Sequence, residues 1–125
     1  MIEVRNLTKK YGDHTAVRDL SFTIEKGKIY GLLGPNGAGK STTMNIITGC
    51  LAATSGTVLI DGHDIFEEPL EAKRHVGYLP EQPPLYTDMT AAEYLDFVAN
   101  AKGMPFEAAM RQIKEVMQLL SLIHI

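Results

Sequence analysis

The sequence predicts an α/β fold in which a buried strand leads through a glycine-rich loop into a helix. Residues 29–33 form a short, almost continuously apolar run, which is typical of a strand buried on both faces of a parallel sheet. Glycines recur in the loop at residues 34–39, and residues 40–48 follow as a helix that Gly49 ends. We expect Met44, Ile46 and Ile47 on its buried face. A strand, a loop and a helix in this order are the building unit of α/β folds.

The composition excludes several classes of protein. The 125 residues are 45% hydrophobic and 22% charged, which indicates an ordinary globular domain rather than a disordered chain. A net charge of −3 disfavours a nucleic-acid binder. Cys50 is the single cysteine and has no partner for an internal disulfide, which favours a reducing compartment. Neither a signal peptide nor an apolar run of about 18 residues occurs, so we expect a cytoplasmic location.

Two short strands are predicted before the buried run. In both of them apolar residues alternate with polar ones, as in strands with one wet face: Ile2, Val4 and Leu7 in the first, and Leu20, Phe22 and Ile24 in the second. Turn signals at residues 11–13 and 25–28 bound these strands.

After the first helix, the sequence predicts a strand, a hairpin turn, a short helix and another strand. Residues 57–60 form the first of these strands, and Asp61-Gly62 after it is a strong hairpin dipeptide. Residues 70–75 have a helical pattern, and residues 76–80 read as a strand that Pro80 ends.

Two helices are predicted in the last third of the chain. Thr90 has the character of an N-cap, and Glu93 three residues later completes a capping box. The helix that follows is broken at residues 102–105, and residues 106–120 form a further helix.

The loop matches the phosphate-binding pattern G-x-x-x-x-G-K-[ST], known as the P-loop, at residues 34–41. Glycines allow the backbone to turn its N–H groups toward an anion, and the helix that follows adds the positive end of its dipole. Lys40 supplies a point charge for the β- and γ-phosphates. The hydroxyl of Ser41 is a hard oxygen ligand for Mg²⁺.

The order of the motifs resembles the ATPase subunit of ATP-binding cassette (ABC) transporters. Residues 4–12 resemble the family's opening strand and its aromatic loop, and residues 34–42 resemble its form of the P-loop, including Asn36. Residues 76–82 are similar to the strand that leads to the family's glutamine loop. Residues 78–95 look most like the subfamily of drug, sodium, copper-maturation and gliding-motility exporters.

This resemblance implies roles for individual residues. Tyr11 would stack on adenine, Ala16 would line its edge, and Gln82 would ligate Mg²⁺ together with Ser41 and orient the attacking water. Lys40 and Gln82 would assist hydrolysis, although no complete catalytic set occurs in the chain. The ATP-binding residues implied are Tyr11, Ala16, Gly34, Pro35, Asn36, Gly37, Ala38, Gly39, Lys40, Ser41 and Thr42. By contrast, we expect His14, His63 and His75 to be solvated.

The resemblance also implies that the chain is a truncated domain. The family's Leu-Ser-Gly-Gly-Gln signature, its apolar strand ending in Asp-Glu and its switch histidine are not found in these 125 residues. We expect a P-loop NTPase (RecA-like) core preceded by an antiparallel β-subdomain and followed by the start of an α-helical subdomain. Residues 1–119 would be the N-terminal half of the nucleotide-binding domain, divided into an antiparallel β region at 1–28, the P-loop core at 29–86 and the helical subdomain from 87.

Residues 120–125 depart from the family pattern. Their sequence, Leu-Ser-Leu-Ile-His-Ile, is also one translation of a transposon end used in sequencing libraries, so we expect a non-native tail. The coding DNA downstream of codon 119 tests this expectation.

The function implied is ATP binding, with Mg²⁺, by a subunit that couples ATP hydrolysis to export. Its partners would be a second nucleotide-binding subunit and a separate transmembrane permease, which would hold it at the inner face of the plasma membrane. No nucleic-acid partner is expected. Two alternatives stay open, a module that binds nucleotide without hydrolysing it and an ABC ATPase without a transport role.

Overall fold

Four strands form one antiparallel sheet in the computed structural model, which describes residues 1–122. The strands are β1 (Ile2–Tyr11), β2 (His14–Ile24), β3 (Ser55–Ile60) and β4 (His63–Asp64), in the order β2-β1-β3-β4. The sheet belongs to the first of two units, Met1–Tyr78, together with helices α1 (Lys40–Ile47) and α2 (Pro69–Arg74). The second unit begins at Leu79 and contains α3 (Ala91–Ala101) and α4 (Phe106–Leu119).

The core of the first unit lies between the sheet and α1. The two central strands contribute alternating apolar residues, as the sequence predicts, and the fully buried ones include Val4, Leu7 and Val58. Burial of such a side chain stabilises the fold by about 1.5–3 kcal/mol. The core residues are Val4, Leu7, Val17, Ile46, Ile47, Val58, Ile60, Ile65 and Ala72.

The buried face of α1 differs by one position from the prediction. Ile46 and Ile47 are buried as expected, but Met44 is 42% exposed and the prediction for it was wrong. Thr43 takes the buried place, because Thr43, Ile46 and Ile47 have the i, i+3, i+4 spacing of one helix face. Its hydroxyl donates to the carbonyl of Gly39 at 2.7 Å, so this buried polar group is satisfied.

Three bulges interrupt the β1–β2 pairing. β1 has one extra residue, at Asn6, and β2 has two, at Asp19 and at Ala16. Asn6 and Asp19 have left-handed φ angles of 49° and 45°, and the Asn6 side-chain amide donates to the Asp19 carboxylate at 2.8 Å. This hydrogen bond links the two strained residues across the strands. The same bulge at Asn6 faces β3, where Gly56 lies against its backbone.

The turn at Asp61-Gly62 forms the predicted hairpin between β3 and β4. Both residues have positive φ, 47° and 83°, as a two-residue turn of this type requires. The carboxylate of Asp61 pairs with the N-terminal ammonium at 2.5 Å, and its other oxygen lies 3.4 Å from Nδ1 of His75. Its hydrogen bond to the ammonium lowers the pKa of Asp61 below the ordinary value of 3.8.

The ion pair between Asp61 and the N-terminal ammonium predicts that the stability of the fold decreases in acid. A carboxyl whose pKa is lowered by folding stabilises the native state above its ordinary pKa, and it loses that contribution as the pH falls through the folded value. Asp61→Asn should therefore lower the melting temperature at pH 6, and its difference from the wild type should shrink as the pH falls below 3.8. Thermal unfolding between pH 2.5 and 7 measures this. Asp13→Asn, in the exposed β1–β2 turn, is the control, and equal pH profiles for the two variants would contradict the expectation.

Predicted caps and breaks define the helices of the second unit. Thr90 is the N-cap of α3; its hydroxyl accepts from the Glu93 N–H at 3.2 Å while the Glu93 carboxylate accepts from the Thr90 N–H at 3.4 Å. This confirms the capping box. α3 ends before Gly103, and α4 begins directly after Pro105, as predicted. Among the described residues, no helix combines the length and apolar character needed to cross a membrane.

Two predicted strands are absent from the described residues. Residues 29–33 and 76–80 have no strand structure, and Leu33 is 93% exposed rather than buried. A strand buried in a parallel sheet needs hydrogen-bonded neighbours, and none of the four observed strands pairs with either segment. Apolar content alone therefore did not produce these strands. Of residues 120–125, Leu120 is the C-cap of α4, and residues 123–125 lie outside the described residues.

Candidate nucleotide-binding site

The glycine-rich loop reaches α1 through two glycines in the left-handed conformation. Gly37 has φ 85° and Gly39, the N-cap of α1, has φ 92°. No side chain caps the first N–H groups of the helix. Uncapped N–H groups at a helix N-terminus attract an anion, since the helix dipole also favours negative charge there. The predicted phosphate-binding geometry therefore has its backbone donors at the start of α1.

The β1–β2 hairpin packs directly against this loop. A Cβ on Gly39 would lie within 3.0 Å of the carbonyl oxygen of Ala16 and 3.2 Å from Cγ2 of Val17. Ala16 is the extra residue of the third bulge, between Thr15 and Val17. Bulges redirect a strand next to functional sites, and this one brings the end of the hairpin to the loop.

A cleft of about 240 Å³ lies between the hairpin and the loop. Every predicted ATP-binding residue except Gly34 and Ala38 lines it, and His14 joins them: Tyr11, His14, Ala16, Pro35, Asn36, Gly37, Gly39, Lys40, Ser41 and Thr42. The structure thus brings together residues that are up to 31 positions apart in the sequence. Their contact with ATP stays a prediction.

Lys40 is held by the loop itself. Its ammonium donates to the carbonyl oxygen of Pro35 at 3.1 Å and to that of Gly34. The charge therefore lies over the loop, where it lowers the energy of any anion that enters the cleft.

Ser41 and Thr42 place hydroxyl groups at the start of α1, on the cleft wall. No group of three or more His, Cys, Asp or Glu side chains among residues 1–122 could hold a metal ion. Mg²⁺ characteristically takes few protein ligands and shares phosphate oxygens. The Ser41 hydroxyl is an oxygen of the kind that Mg²⁺ takes, and its role as a ligand stays a prediction.

Tyr11 ends β1 at the opposite end of the cleft, with 49% of its surface exposed. The Lys9 ammonium lies 5.1 Å from the centre of its ring. A half-exposed tyrosine ring offers a flat surface to a purine base.

His14 also lines the cleft, which its place in the sequence did not indicate. We expected this histidine to be solvated; it is exposed, yet it lines the cleft as the register partner of Tyr11. The signal that could have found it is the two-residue turn, which places the residue after the turn opposite the tyrosine. Of the other two histidines expected to be solvated, His75 is exposed and His63 is partly exposed, and their rings stack at 5.7 Å.

Gln82 belongs to the second unit, in an exposed irregular segment that also contains Pro80 and Pro83. Its roles toward Mg²⁺ and water stay predictions.

The family model described as ABC transporter matches residues 17–125. The chain belongs to the ABC transporter family. Among the curated proteins, it is 38% identical over 122 residues to the linearmycin resistance ATP-binding protein LnrL of Bacillus subtilis (strain 168). That match covers 98% of this chain and 39% of LnrL.

Two solved ABC structures share the fold. The ATP binding subunit of an ABC transporter superposes with a TM-score of 0.84 at 32% identity, covering 94% of this chain and 49% of the other. MJ0796, a bacterial ABC transporter cassette solved as a dimer, superposes with a TM-score of 0.78 at 28% identity, covering 94% and 56%. These matches confirm the predicted family and fold class. The chain spans about half or less of the length of these ABC proteins.

Proposed function

We propose that this chain is the ATP-binding half of an ABC ATPase that, in the whole protein, couples ATP hydrolysis to export through a separate permease. The observation that carries the proposal is the cleft, where a tyrosine ring and a P-loop face the same space. Homology supports export, since LnrL is described as a linearmycin resistance ATP-binding protein. A solved neighbour is a dimer, which supports a second nucleotide-binding subunit as partner.

The two ends of the cleft are suited to different parts of the ATP molecule. At the loop end, the N–H groups of α1 and the Lys40 ammonium are suited to the triphosphate, and the Ser41 hydroxyl is suited to its Mg²⁺. At the hairpin end, Tyr11 is suited to adenine. Bound Mg²⁺ would neutralise phosphate charge; the chain's own residues would bind and orient the nucleotide.

Hydrolysis of ATP needs catalytic groups beyond those that line the cleft. Phosphoryl transfer requires a residue that positions the attacking water and an acidic ligand for the metal. The signature sequence and the Asp-Glu strand that resemblance to the family calls for do not occur in these 125 residues. We therefore expect this chain alone to bind ATP without hydrolysing it. Steady release of phosphate that Lys40→Ala abolishes would contradict this.

Lys40→Ala tests the binding site. Removal of the ammonium should raise the Kd for Mg·ATP by about tenfold or more, the effect of losing one charge-assisted hydrogen bond to phosphate. Equilibrium titration with a fluorescent ATP analogue measures it. Lys114→Ala, an exposed lysine of α4, is the matched control and should bind as the wild type does. Equal Kd values for Lys40→Ala and Lys114→Ala would overturn the assignment.

The location follows from the same proposal. If the permease holds this subunit, it lies at the inner face of the plasma membrane. Fractionation of cells that express the whole protein with and without its permease tests this, because the subunit should leave the membrane fraction when the permease is absent.

A further inference from the structure

The hairpin end of the cleft carries a second ring beside Tyr11. His14 pairs with Tyr11 across the two-residue turn, and both side chains line the cleft. Directly opposed residues of an antiparallel pair have Cβ atoms about 4.5–5.5 Å apart. Of the described residues that line this cleft, these two are the only ones with aromatic rings.

The loop end cannot distinguish a nucleotide from its phosphates. Its N–H groups and the Lys40 ammonium recognise negative oxygen atoms, which inorganic tripolyphosphate also presents. Any preference for a nucleoside triphosphate must therefore arise from the hairpin end, where Tyr11, His14 and Ala16 lie.

Tyr11 is not free on all sides for this purpose. The Lys9 ammonium lies 5.1 Å from its ring centre, in the position of a cation–π contact, and occupies one ring face. A base can then stack only on the remaining face. His14 is exposed at this place and has no ion pair or ring contact that would hold it elsewhere among the described residues.

We propose that His14 is a nucleoside-binding residue whose imidazole ring contacts the base beside Tyr11. The inference rests on the proposed ATP-binding function and adds a specificity determinant to it. Planar rings bind bases of any identity through stacking, so His14 selects nucleoside triphosphate over free tripolyphosphate rather than one base over another.

The test compares Mg·ATP with Mg·tripolyphosphate by isothermal titration calorimetry on the full chain. His14→Ala should weaken ATP binding about fivefold to tenfold, the lower range for loss of one base–aromatic contact, and leave tripolyphosphate binding unchanged. His14→Phe, which keeps a planar ring, should restore most of the ATP affinity. Lys40→Ala should weaken the binding of both ligands.

Two control variants isolate the position. Asp13→Ala changes the same turn at a residue that does not line the cleft, and His63→Ala removes a histidine on β4. Both should bind the two ligands as the wild type does. The inference fails if His14→Ala binds ATP normally, if it loses both ligands equally, or if His14→Phe is no better than His14→Ala.

The wild-type titrations separate this inference from the proposed function. If the wild type binds tripolyphosphate and ATP equally, only the phosphate site stands, and the base-binding roles of both Tyr11 and His14 are wrong. If the wild type prefers ATP and His14→Ala keeps that preference, the proposed function stands and only the inference about His14 is wrong. If it binds neither ligand, the proposed function is wrong and the inference falls with it.

Discussion

Gly39→Ala should abolish measurable ATP binding and destabilise the first unit by about 3 kcal/mol or more. Two costs add at this position. The residue has φ 92°, which an alanine adopts only with strain. Its Cβ would also lie within 3.0 Å of the carbonyl oxygen of Ala16, which is backbone and belongs to a bulge that fixes the hairpin. To relieve the contact, the loop must move away from the hairpin, and the cleft opens.

Gly37→Ala is the matched control for this prediction. Gly37 has a similar φ of 85°, but a Cβ there would meet no atom within 4 Å. Gly37→Ala should therefore be destabilised by backbone strain alone, by about 1–2 kcal/mol. Chemical denaturation and ATP titration of both variants measure the difference. If Gly39→Ala is no less stable than Gly37→Ala, the close approach of loop and hairpin does not exist in solution.

Gly56→Ala should cost the first unit about 3 kcal/mol or more, enough to leave much of the chain unfolded. Gly56 has φ 95°, and its Cβ would lie 2.7 Å from the carbonyl carbon of Asn6 and 2.7 Å from Cα of Leu7. Both atoms are backbone of β1, the strand that pairs with β2 on one edge and β3 on the other. Neither can move without breaking one of these pairings.

Gly62→Ala is the control variant, because it has the same backbone strain as Gly56→Ala without the close contact to another strand. Gly62 is also in the left-handed region, at φ 83°, with open space where a Cβ would lie. Its melting temperature should fall by a few degrees, as expected for about 1 kcal/mol in a domain of this size. The fraction of soluble protein and the thermal unfolding curve report both effects. A Gly56→Ala protein as stable as Gly62→Ala would show that β3 is not held against the Asn6 bulge.

The predictions that succeeded depend on neighbours in the sequence. The capping box of Thr90 and Glu93 and the turn at Asp61-Gly62 are each determined by two nearby residues, and both formed as expected. The P-loop pattern likewise specified a loop that ends at a helix N-terminus.

The predictions that failed depend on distant parts of the chain. Residues 29–33 have the composition of a buried strand, but a strand exists only beside a partner, and none pairs with them in the described sheet. His14 is exposed, as predicted, but strand pairing with Tyr11 also makes it line the cleft, which no property of an isolated histidine reveals. Met44 shows that the apolar pattern does not locate the edge of a buried helix face, because Met44 is exposed while Thr43, one position before it, is buried.

The three bulges of the first hairpin constrain how its length can change during evolution. Each extra residue, at Asn6, Asp19 and Ala16, reverses the faces of the residues beyond it, because side chains alternate along a strand. A substitution in this hairpin alters one side chain, whereas an insertion or deletion turns Tyr11 and His14 away from the loop. We therefore expect the number of residues between Val4 and Phe22 to vary far less among related proteins than the identity of these residues does.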